Sequence, residues 1–230
     1  MNIYVWNNEW LPNANTVAYY PLTSSSTTSD KSWNSRNMTN SNVSFWTQFW
    51  VDCAYISWNA DSTHTVSKYL YWNITWLPIW ANPRTFSFRI YNDNANNLSN
   101  SNELYVYQWV SDTDKMVFIS SWWVNEKWYL FISKYWWNNG LFGNSVRKSW
   151  CHNVITYDWS KFEWYVNWTS RWTWTISINT ASNYINIFGN ANSYWNWFNW
   201  WMSELILESK ARTADEITNY YNSTKSNYWL

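Results

Sequence analysis

Two glutamates in the stretch Glu204-Leu205-Ile206-Leu207-Glu208 have the residue type and the spacing of a catalytic carboxylate pair. On a β-strand, residues separated by an even number of positions lie on one face, so both side chains could flank a bound sugar. Glycoside hydrolases cleave the glycosidic bond between two such carboxylates. The centre of the stretch is the aliphatic Ile206, however, and we predict that the protein is not an enzyme.

The histidines are the other residues with catalytic or metal-binding chemistry. His64 and His152 are far apart in the sequence, and no cluster of Cys, His or carboxylates surrounds them at the spacing of a metal site. We expect a structural role for His152. No phosphate-binding P-loop is present.

Two predicted strands, Thr85–Tyr91 and Glu103–Gln108, alternate apolar residues with tyrosine or other polar residues. If the apolar side chains face the core, a ligand could bind on the other face, to Arg89, Tyr91, Tyr105 and Tyr107, with Tyr129 as a neighbour. Tyrosine rings can stack on sugar C–H faces while arginine donates hydrogen bonds. Ordinary cross-strand pairing on a solvated face gives the same pattern. A further alternative is a rim site formed by two polar loops, Asn92–Asn102 and Tyr135–Lys148.

The elements that must position these residues are short β-strands separated by polar turns, a pattern typical of an antiparallel sandwich or barrel. The predicted strands are Val17–Leu22, Val51–Ser57, Thr85–Tyr91, Glu103–Gln108, Lys115–Ser120, Lys127–Ser133, Val154–Tyr157, Phe162–Val166, Thr175–Ile178, Tyr184–Phe188 and Met202–Glu208.

Only the end of the chain has a helical pattern. Thr213-Ala214-Asp215-Glu216 is a capping box, in which the Thr213 hydroxyl and the Glu216 carboxylate each accept a backbone N–H. Ile217, Tyr220 and Tyr221 then share one face. We predict a short helix that docks on the sandwich.

The charge and the cysteines limit the partners and the compartment. Fifteen acidic and fifteen basic residues cancel without forming runs, so nucleic acid is not an expected partner. No apolar run approaches the roughly 20 residues of a membrane span, and the start MNIYVWNNEWLPN lacks the pattern of a signal peptide. Cys53 and Cys151 are predicted to be buried thiols, with a disulfide as the alternative.

The balance between Gly and Trp is the most unusual feature of the composition, with 3 Gly and 26 Trp, whereas an average protein has about 7% Gly. Trp159 follows Asp158 and Trp168 follows Asn167, at positions where a hairpin turn favours Gly because its φ is positive. We hypothesise that many of these residues are Gly in the natural protein, encoded by UGA, and we expect Trp159 and Trp168 at exposed turns. A genuinely Trp-rich carbohydrate binder is the alternative.

Three stretches resemble laminin-G-like domains of the concanavalin A-like lectin/glucanase superfamily. VAYYPL followed by SDKSWN is similar to the opening strand and its Asp-x-Ser-Gly-Asn turn. CHNVITYDWSKFEWYVNWT resembles the hairpin Trp-His-x-Val-x-x-Thr-Tyr-Asp-Gly…Tyr-Val-Asn-Gly-Thr, and FNWWMSELILESKARTADEI resembles the closing strand and helix. The residues that stand at glycine positions of this pattern are Trp33, Trp159, Trp168 and Trp200.

The resemblance implies an all-β jelly-roll sandwich of two antiparallel sheets with a short C-terminal helix, over residues 16–230. It also allows calcium, for which Asp30 is the candidate ligand. Ser203 stands where the family often has a second Asp, so weak or absent calcium binding is expected. Cys151 and Arg89 stand where the family often has Trp. The catalytic Glu-x-Asp-x-Glu motif of the related enzymes is not matched.

Residues 1–15 resemble short attachment segments of virion and tail-fibre proteins. The predicted function is a non-catalytic recognition module for carbohydrate or a surface glycoconjugate, located outside the cell, on its surface or on a virion. The alternatives are a structural domain of a phage tail fibre or adhesin that contacts only protein, and a glycoside hydrolase.

Overall fold

The computed structural model describes residues 12–56, 69–73, 82–92, 106–109, 129–133, 139–143, 149–175, 184–187 and 200–228. These residues form antiparallel strands and one short helix near the C-terminus. The predicted all-β class is therefore confirmed. Among the residues described, no helix is long and apolar enough to span a membrane.

The larger sheet has eight strands, in the order β12-β11-β10-β6-β14-β4-β3, with β1 paired to β14 beside β4. Its strands are β1 (Thr16–Tyr20), β3 (Ser44–Gln48), β4 (Val51–Ile56), β6 (Arg84–Asn92), β10 (Trp150–Tyr157), β11 (Lys161–Val166), β12 (Thr169–Thr175) and β14 (Trp200–Glu208). All pairings are antiparallel.

The smaller sheet has four strands in the order β2-β5-β13-β7, which are β2 (Thr39–Ser41), β5 (Tyr69–Asn73), β13 (Tyr184–Ile187) and β7 (Val106–Trp109). A separate two-stranded ribbon pairs β8 (Tyr129–Ser133) with β9 (Asn139–Gly143). The prediction that Tyr135–Lys148 is a continuous loop is therefore wrong, because β9 lies within this segment. Two glycines in β9 lowered its apparent strand propensity, which hid a short strand.

One hydrophobic core fills the space between the two sheets. Leu70, Ile185 and Ile187 of the four-stranded sheet pack against Phe86, Phe88, Ile155, Leu205 and Leu207 of the eight-stranded sheet. Alternate residues of a strand lie on opposite faces, so Ser87, Arg89 and Glu204 lie on the face of the larger sheet that points away from this core. That face carries the candidate site described below.

The helix α1 (Ala214–Thr224) begins where the sequence predicts it. The Thr213 hydroxyl accepts the Glu216 backbone N–H, and the Glu216 carboxylate accepts the Thr213 N–H at 2.9 Å. Ile217, Tyr220 and Tyr221 are buried, as predicted, against the outer face of the eight-stranded sheet. A short 3-10 helix, Lys225–Tyr228, continues the chain and buries Tyr228.

The two cysteines are free and buried. Cys53 lies on β4 and Cys151 on β10, and strands β14 and β6 separate them in the sheet. A disulfide requires Cα atoms within about 7 Å, which is less than three strand spacings. The alternative of a disulfide is therefore excluded. Burial raises the pKa of the Cys53 thiol to about 12, which keeps it protonated and unreactive.

Two turns hold a bulky aromatic residue in the left-handed region. Phe49 and Trp50, the central residues of the β3–β4 hairpin, have φ of 48° and 67°, and Trp159 has φ of 82°. Positive φ at both central residues is typical of a type I′ turn, which favours Asn-Gly. Trp50 is 85% exposed and Trp159 is 58% exposed, so ring burial does not offset the backbone strain. The predicted exposed turn position of Trp159 is confirmed.

The next turn differs in one respect. Trp168 lies in the β11–β12 turn and is about half exposed, as predicted, but the positive φ of 53° belongs to Asn167. The Trp168 ring contacts the Tyr221 ring of α1, with 4.6 Å between the centroids.

Candidate functional site

The face of the eight-stranded sheet beneath α1 holds a buried row of ionisable residues. Cross-strand register aligns Glu204 of β14, Arg89 of β6 and His152 of β10. The Arg89 Nε donates to Glu204 Oε2 at 3.0 Å, and both side chains are almost completely buried. We call this row with its helix neighbours the helix-covered face.

The helix adds polar contacts to Arg89 and Glu204 of this row. Tyr220 donates its hydroxyl to Glu204, and Arg89 donates to the hydroxyl of Thr224. The Tyr228 ring lies under the Arg89 guanidinium, at 4.1 Å from its centroid. Because Arg89 is 0% exposed, it cannot reach a ligand while α1 is docked.

His152 is buried at the centre of the helix-covered face. Its Nε2 lies 2.7 Å from the Ser87 hydroxyl, while its Nδ1 has no hydrogen-bond partner. Burial lowers the pKa of His152 well below its usual value, and the positive charges of Arg89 and Arg212 lower it further. His152 is therefore a neutral structural residue.

Glu208 does not form a catalytic pair with Glu204. Its carboxylate is bound by the Arg212 guanidinium, with 2.9 Å between Nη2 and Oε1, and by Asn13 Nδ2 at 3.1 Å. Both glutamates are buried on the helix-covered face and accept hydrogen bonds from neighbouring side chains. The geometry gives both carboxylates a structural role, since each is buried and paired with an arginine side chain.

Asp30 organises the turn after β1. Its Oδ1 accepts the backbone N–H groups of Tyr19 and Ser32, and its Oδ2 accepts the Ser32 hydroxyl and the Arg36 N–H, at distances of 2.7 to 2.9 Å. A carboxylate has about four lone-pair sites, and all are used here. The predicted metal ligand is thus engaged within the protein. The described residues contain no group of three or more His, Cys, Asp or Glu that could hold a metal ion.

Tyr91 lies beside the helix-covered face but belongs to an aromatic cluster. Its ring packs against Trp150 and Trp201, at centroid distances of 5.8 and 5.5 Å, and against Phe49 at 4.7 Å. The cluster buries Tyr91, so its ring is part of a small second core.

The predicted ligand-binding residues that the structure describes, Arg89, Tyr91, Tyr107 and Tyr129, belong to three different sheets. Strand alternation in β6 placed Arg89 and Tyr91 opposite the core correctly, but α1 covers that face, and β7, which holds Tyr107, belongs to the other sheet. Tyr129 begins the separate β8–β9 ribbon. Tyr105 and most of the loop Asn92–Asn102 lie outside the described residues. Sequence alternation shows which face a residue occupies but not which strands are neighbours.

The outer face of the four-stranded sheet carries exposed residues at Thr39 and Tyr71. Tyr71, which lies between core-facing positions of β5, is 37% exposed. Cross-strand register pairs Tyr71 with Thr39 on β2 and with Asn186 on β13, and Asn186 with Tyr107 on β7. Asn186 stands between the buried Ile185 and Ile187, so its position is on the outer face. The sequence pattern indicated Tyr107 but not Tyr71 or Asn186. Strand β5 has aromatic residues on both faces and lacks a clear alternation, and β13 shows no aromatic pattern around Asn186.

Comparison with known proteins supports the fold and not a family. No protein-family model matches the chain, and no curated protein matches it. Solved structures do match. The binding domain of Paraclostridial Mosquitocidal Protein 1 has a TM-score of 0.68 and 14% identity, over 91% of this chain and 52% of that one.

Two botulinum neurotoxin domains are similar to the same extent. The serotype D ligand-binding domain in complex with N-acetylneuraminic acid has a TM-score of 0.66 and 13% identity, over 90% of this chain and 50% of that one. The DC binding domain in complex with rat synaptotagmin II has a TM-score of 0.68 and 14% identity, over 91% and 52%. The chain spans about half the length of these structures. The all-β jelly-roll sandwich predicted from the sequence is thereby confirmed as the fold.

Proposed function

We propose that the chain is a non-catalytic recognition module that binds carbohydrate through the outer face of the four-stranded sheet. The observation that carries this proposal is the exposed Tyr71, aligned by register with Asn186 and Tyr107 on neighbouring strands. Among the described residues, α1 buries the row of Glu204, Arg89 and His152, whereas Tyr71 on the outer face of the smaller sheet is exposed.

The residue types on this face suit sugars. Tyrosine rings stack on the apolar C–H faces of a pyranose, and an asparagine side chain both donates and accepts hydrogen bonds, as sugar hydroxyls require. Positions on paired strands are held by the sheet before a ligand arrives. Binding there loses less conformational entropy than binding to a loop that must become ordered.

The solved structures support recognition as the general role. All of those reported above are binding domains, and one of them is in complex with N-acetylneuraminic acid. Those proteins share the fold at low identity and are about twice as long. Their ligands are therefore a precedent for glycan binding on this fold and do not identify the ligand of this chain.

A glycan array tests the proposal. We expect sugar-competable binding that is weakened in Tyr71→Ala and Tyr107→Ala. The control is Trp46→Ala, which removes another exposed aromatic ring from β3 of the larger sheet. The absence of sugar-competable binding to any glycan would reject the proposal. It would favour a structural domain of a fibre or adhesin that contacts only protein.

We further propose that the domain is laminin-G-like, acts on a secreted, cell or virion surface, and has glycine at several positions written as Trp. The positive φ values of Trp50 and Trp159 support the last point, because glycine adopts them without a Cβ clash. Peptide mass spectrometry of native material tests it at Trp33, Trp159, Trp168 and Trp200. UGG codons at these positions would reject the glycine hypothesis.

A further inference from the structure

The described strand residues of the four-stranded sheet include no charged side chain. Its strands read TNS in β2, YLYWN in β5, YINI in β13 and VYQW in β7. The central strands of the other sheet differ, because β6 contains Arg84 and Arg89, and β14 contains Glu204 and Glu208. The absence of charge is thus a property of one sheet and not of the whole chain.

Register sorts the residues of this sheet into two sets. The buried Leu70, Ile185 and Ile187 face the core. Tyr71 and the positions paired with it therefore lie on the outer face, and so do the positions two residues away along each strand. Every outer position in the four described strands is an aromatic, an amide or a hydroxyl residue: Thr39, Ser41, Tyr69, Tyr71, Asn73, Tyr107, Trp109, Tyr184 and Asn186.

The best-defined row runs across the strands and not along them. Tyr71 on β5 and Tyr107 on β7 are separated by β13, which contributes Asn186 between them. Neighbouring strands are about 4.8 Å apart, so the two tyrosine positions are about 10 Å apart. This distance is comparable to the length of a disaccharide. Two stacking positions with an amide between them therefore fit a linear sugar chain that crosses the sheet.

We infer that the ligand is an extended, uncharged glycan lying across β5, β13 and β7 through Tyr71, Asn186 and Tyr107. This inference rests on the proposed function and narrows it to one class of sugar. A sialic acid carboxylate would lose hydration on this face without a cationic side chain from its four strands, and an ionised group is costly to desolvate without such a partner. Neutral hydroxyls are satisfied by the amide and hydroxyl groups that the face offers.

Titration calorimetry with matched sugars tests this inference. The probes are linear neutral oligosaccharides of two to six hexose units with different linkages, each compared with the same chain capped by N-acetylneuraminic acid. We expect affinity to increase with length until the row is filled, to change little on capping, and to depend weakly on salt. Steering and pairing by charge would give a strong salt dependence instead.

Variants connect the binding to the row. We expect Tyr71→Ala and Asn186→Ala each to weaken binding by about tenfold, and Tyr71→Phe to retain most of the affinity because the ring remains. Trp46→Ala, on the other sheet, should bind as the unchanged protein does.

The outcomes separate the two levels of the proposal. Binding that requires the sialic acid cap, or that falls steeply with salt, overturns the neutral-glycan inference and leaves glycan recognition standing. Neutral glycan binding that survives both Tyr71→Ala and Asn186→Ala overturns the assignment to this row. Absence of binding to every sugar overturns the proposed function and this inference together.

Discussion

Arg89 and Glu204 face each other on adjacent strands beneath the C-terminal helix, with 3.0 Å between Nε and Oε2. Removal of one member of a buried ion pair leaves an uncompensated charge, which costs about 3–5 kcal/mol. We therefore expect Arg89→Met and Glu204→Gln each to lower the free energy of unfolding strongly in urea titrations. The double variant Arg89→Met/Glu204→Leu should lose less free energy of unfolding than the two single variants lose together.

An exposed ion pair provides the control for this prediction. Lys161 and Glu163 lie 3.4 Å apart at the surface, and Lys161→Ala should change stability by less than about 1 kcal/mol. If Arg89→Met is as mild as Lys161→Ala, the buried pair does not stabilise the docked helix.

His152 should make the fold sensitive to mild acid. It is neutral and fully buried, near Arg89, Arg212, Ser87 and the rings of α1, and Glu204 is the acidic member of its row. Because the pKa of His152 is lower in the folded state than its unfolded value of about 6.5, the unfolded state binds the proton more readily. The free energy of unfolding therefore keeps its full value above about pH 6.5 and falls by up to about 1.4 kcal/mol per pH unit below it.

Urea titrations between pH 5 and 7 test this effect. His152→Gln should flatten the pH dependence of the free energy of unfolding, whatever its stability at pH 7. Trp46→Ala, at an exposed and non-ionisable position, is the control and should retain the slope. An unchanged slope in His152→Gln would show that another group causes the acid sensitivity.

Asp30 should matter for stability and not for calcium. Asp30→Ala leaves four donors of the turn without their acceptor, and each orphaned buried donor costs about 1–3 kcal/mol. Asp215→Ala, at an exposed position in the first turn of α1, is the control and should cost less than about 1 kcal/mol. Thermal unfolding with calcium or with a chelator should give the same midpoint. A large chelator-sensitive shift would show that the carboxylate binds the ion instead.

Glycine should stabilise the strained turns. A non-glycine residue in the left-handed region costs roughly 1–2 kcal/mol, so Trp159→Gly and Trp50→Gly should raise the urea midpoint. Trp164 gives the opposite control, because it is buried in the core and its Nε1 donates to Asn153. Trp164→Gly should cost at least about 3–5 kcal/mol. Destabilisation by Trp159→Gly would argue against glycine at that turn in the natural protein.

The sequence predicted individual strands, turns and the helix better than it predicted which strands lie next to each other in the sheets. The capping box of α1, the alternation in β6 and the strained turn at Trp159 were visible because each depends on a few adjacent residues. The order of the strands was not visible, since it depends on contacts between distant segments. Arg89 and Tyr107 alternate in the same way, yet they belong to different sheets.

The position of the helix explains why Arg89, on the face first predicted to bind a ligand, is buried. The pattern of Ile217, Tyr220 and Tyr221 predicted docking on the sandwich, but periodicity along a helix does not indicate which surface it covers. That surface proved to be the face with Arg89 and His152. The outer face of the four-stranded sheet was missed because β5 reads YLYWN, in which large aromatic or aliphatic residues occupy both faces.

Strand β14 pairs along one edge with β6 and along the other with both β4 and β1. It is the last strand in sequence, although it lies in the interior of the sheet. During synthesis, β1 and β6 therefore leave the ribosome long before the strand that joins them. Folding rates fall when native contacts are distant in sequence. The strands of the eight-stranded sheet should thus pair late and together. Chains truncated before Trp200 lack β14, so the strand edges of β1, β4 and β6 stay unpaired, and such chains should depend on chaperones to avoid pairing with one another.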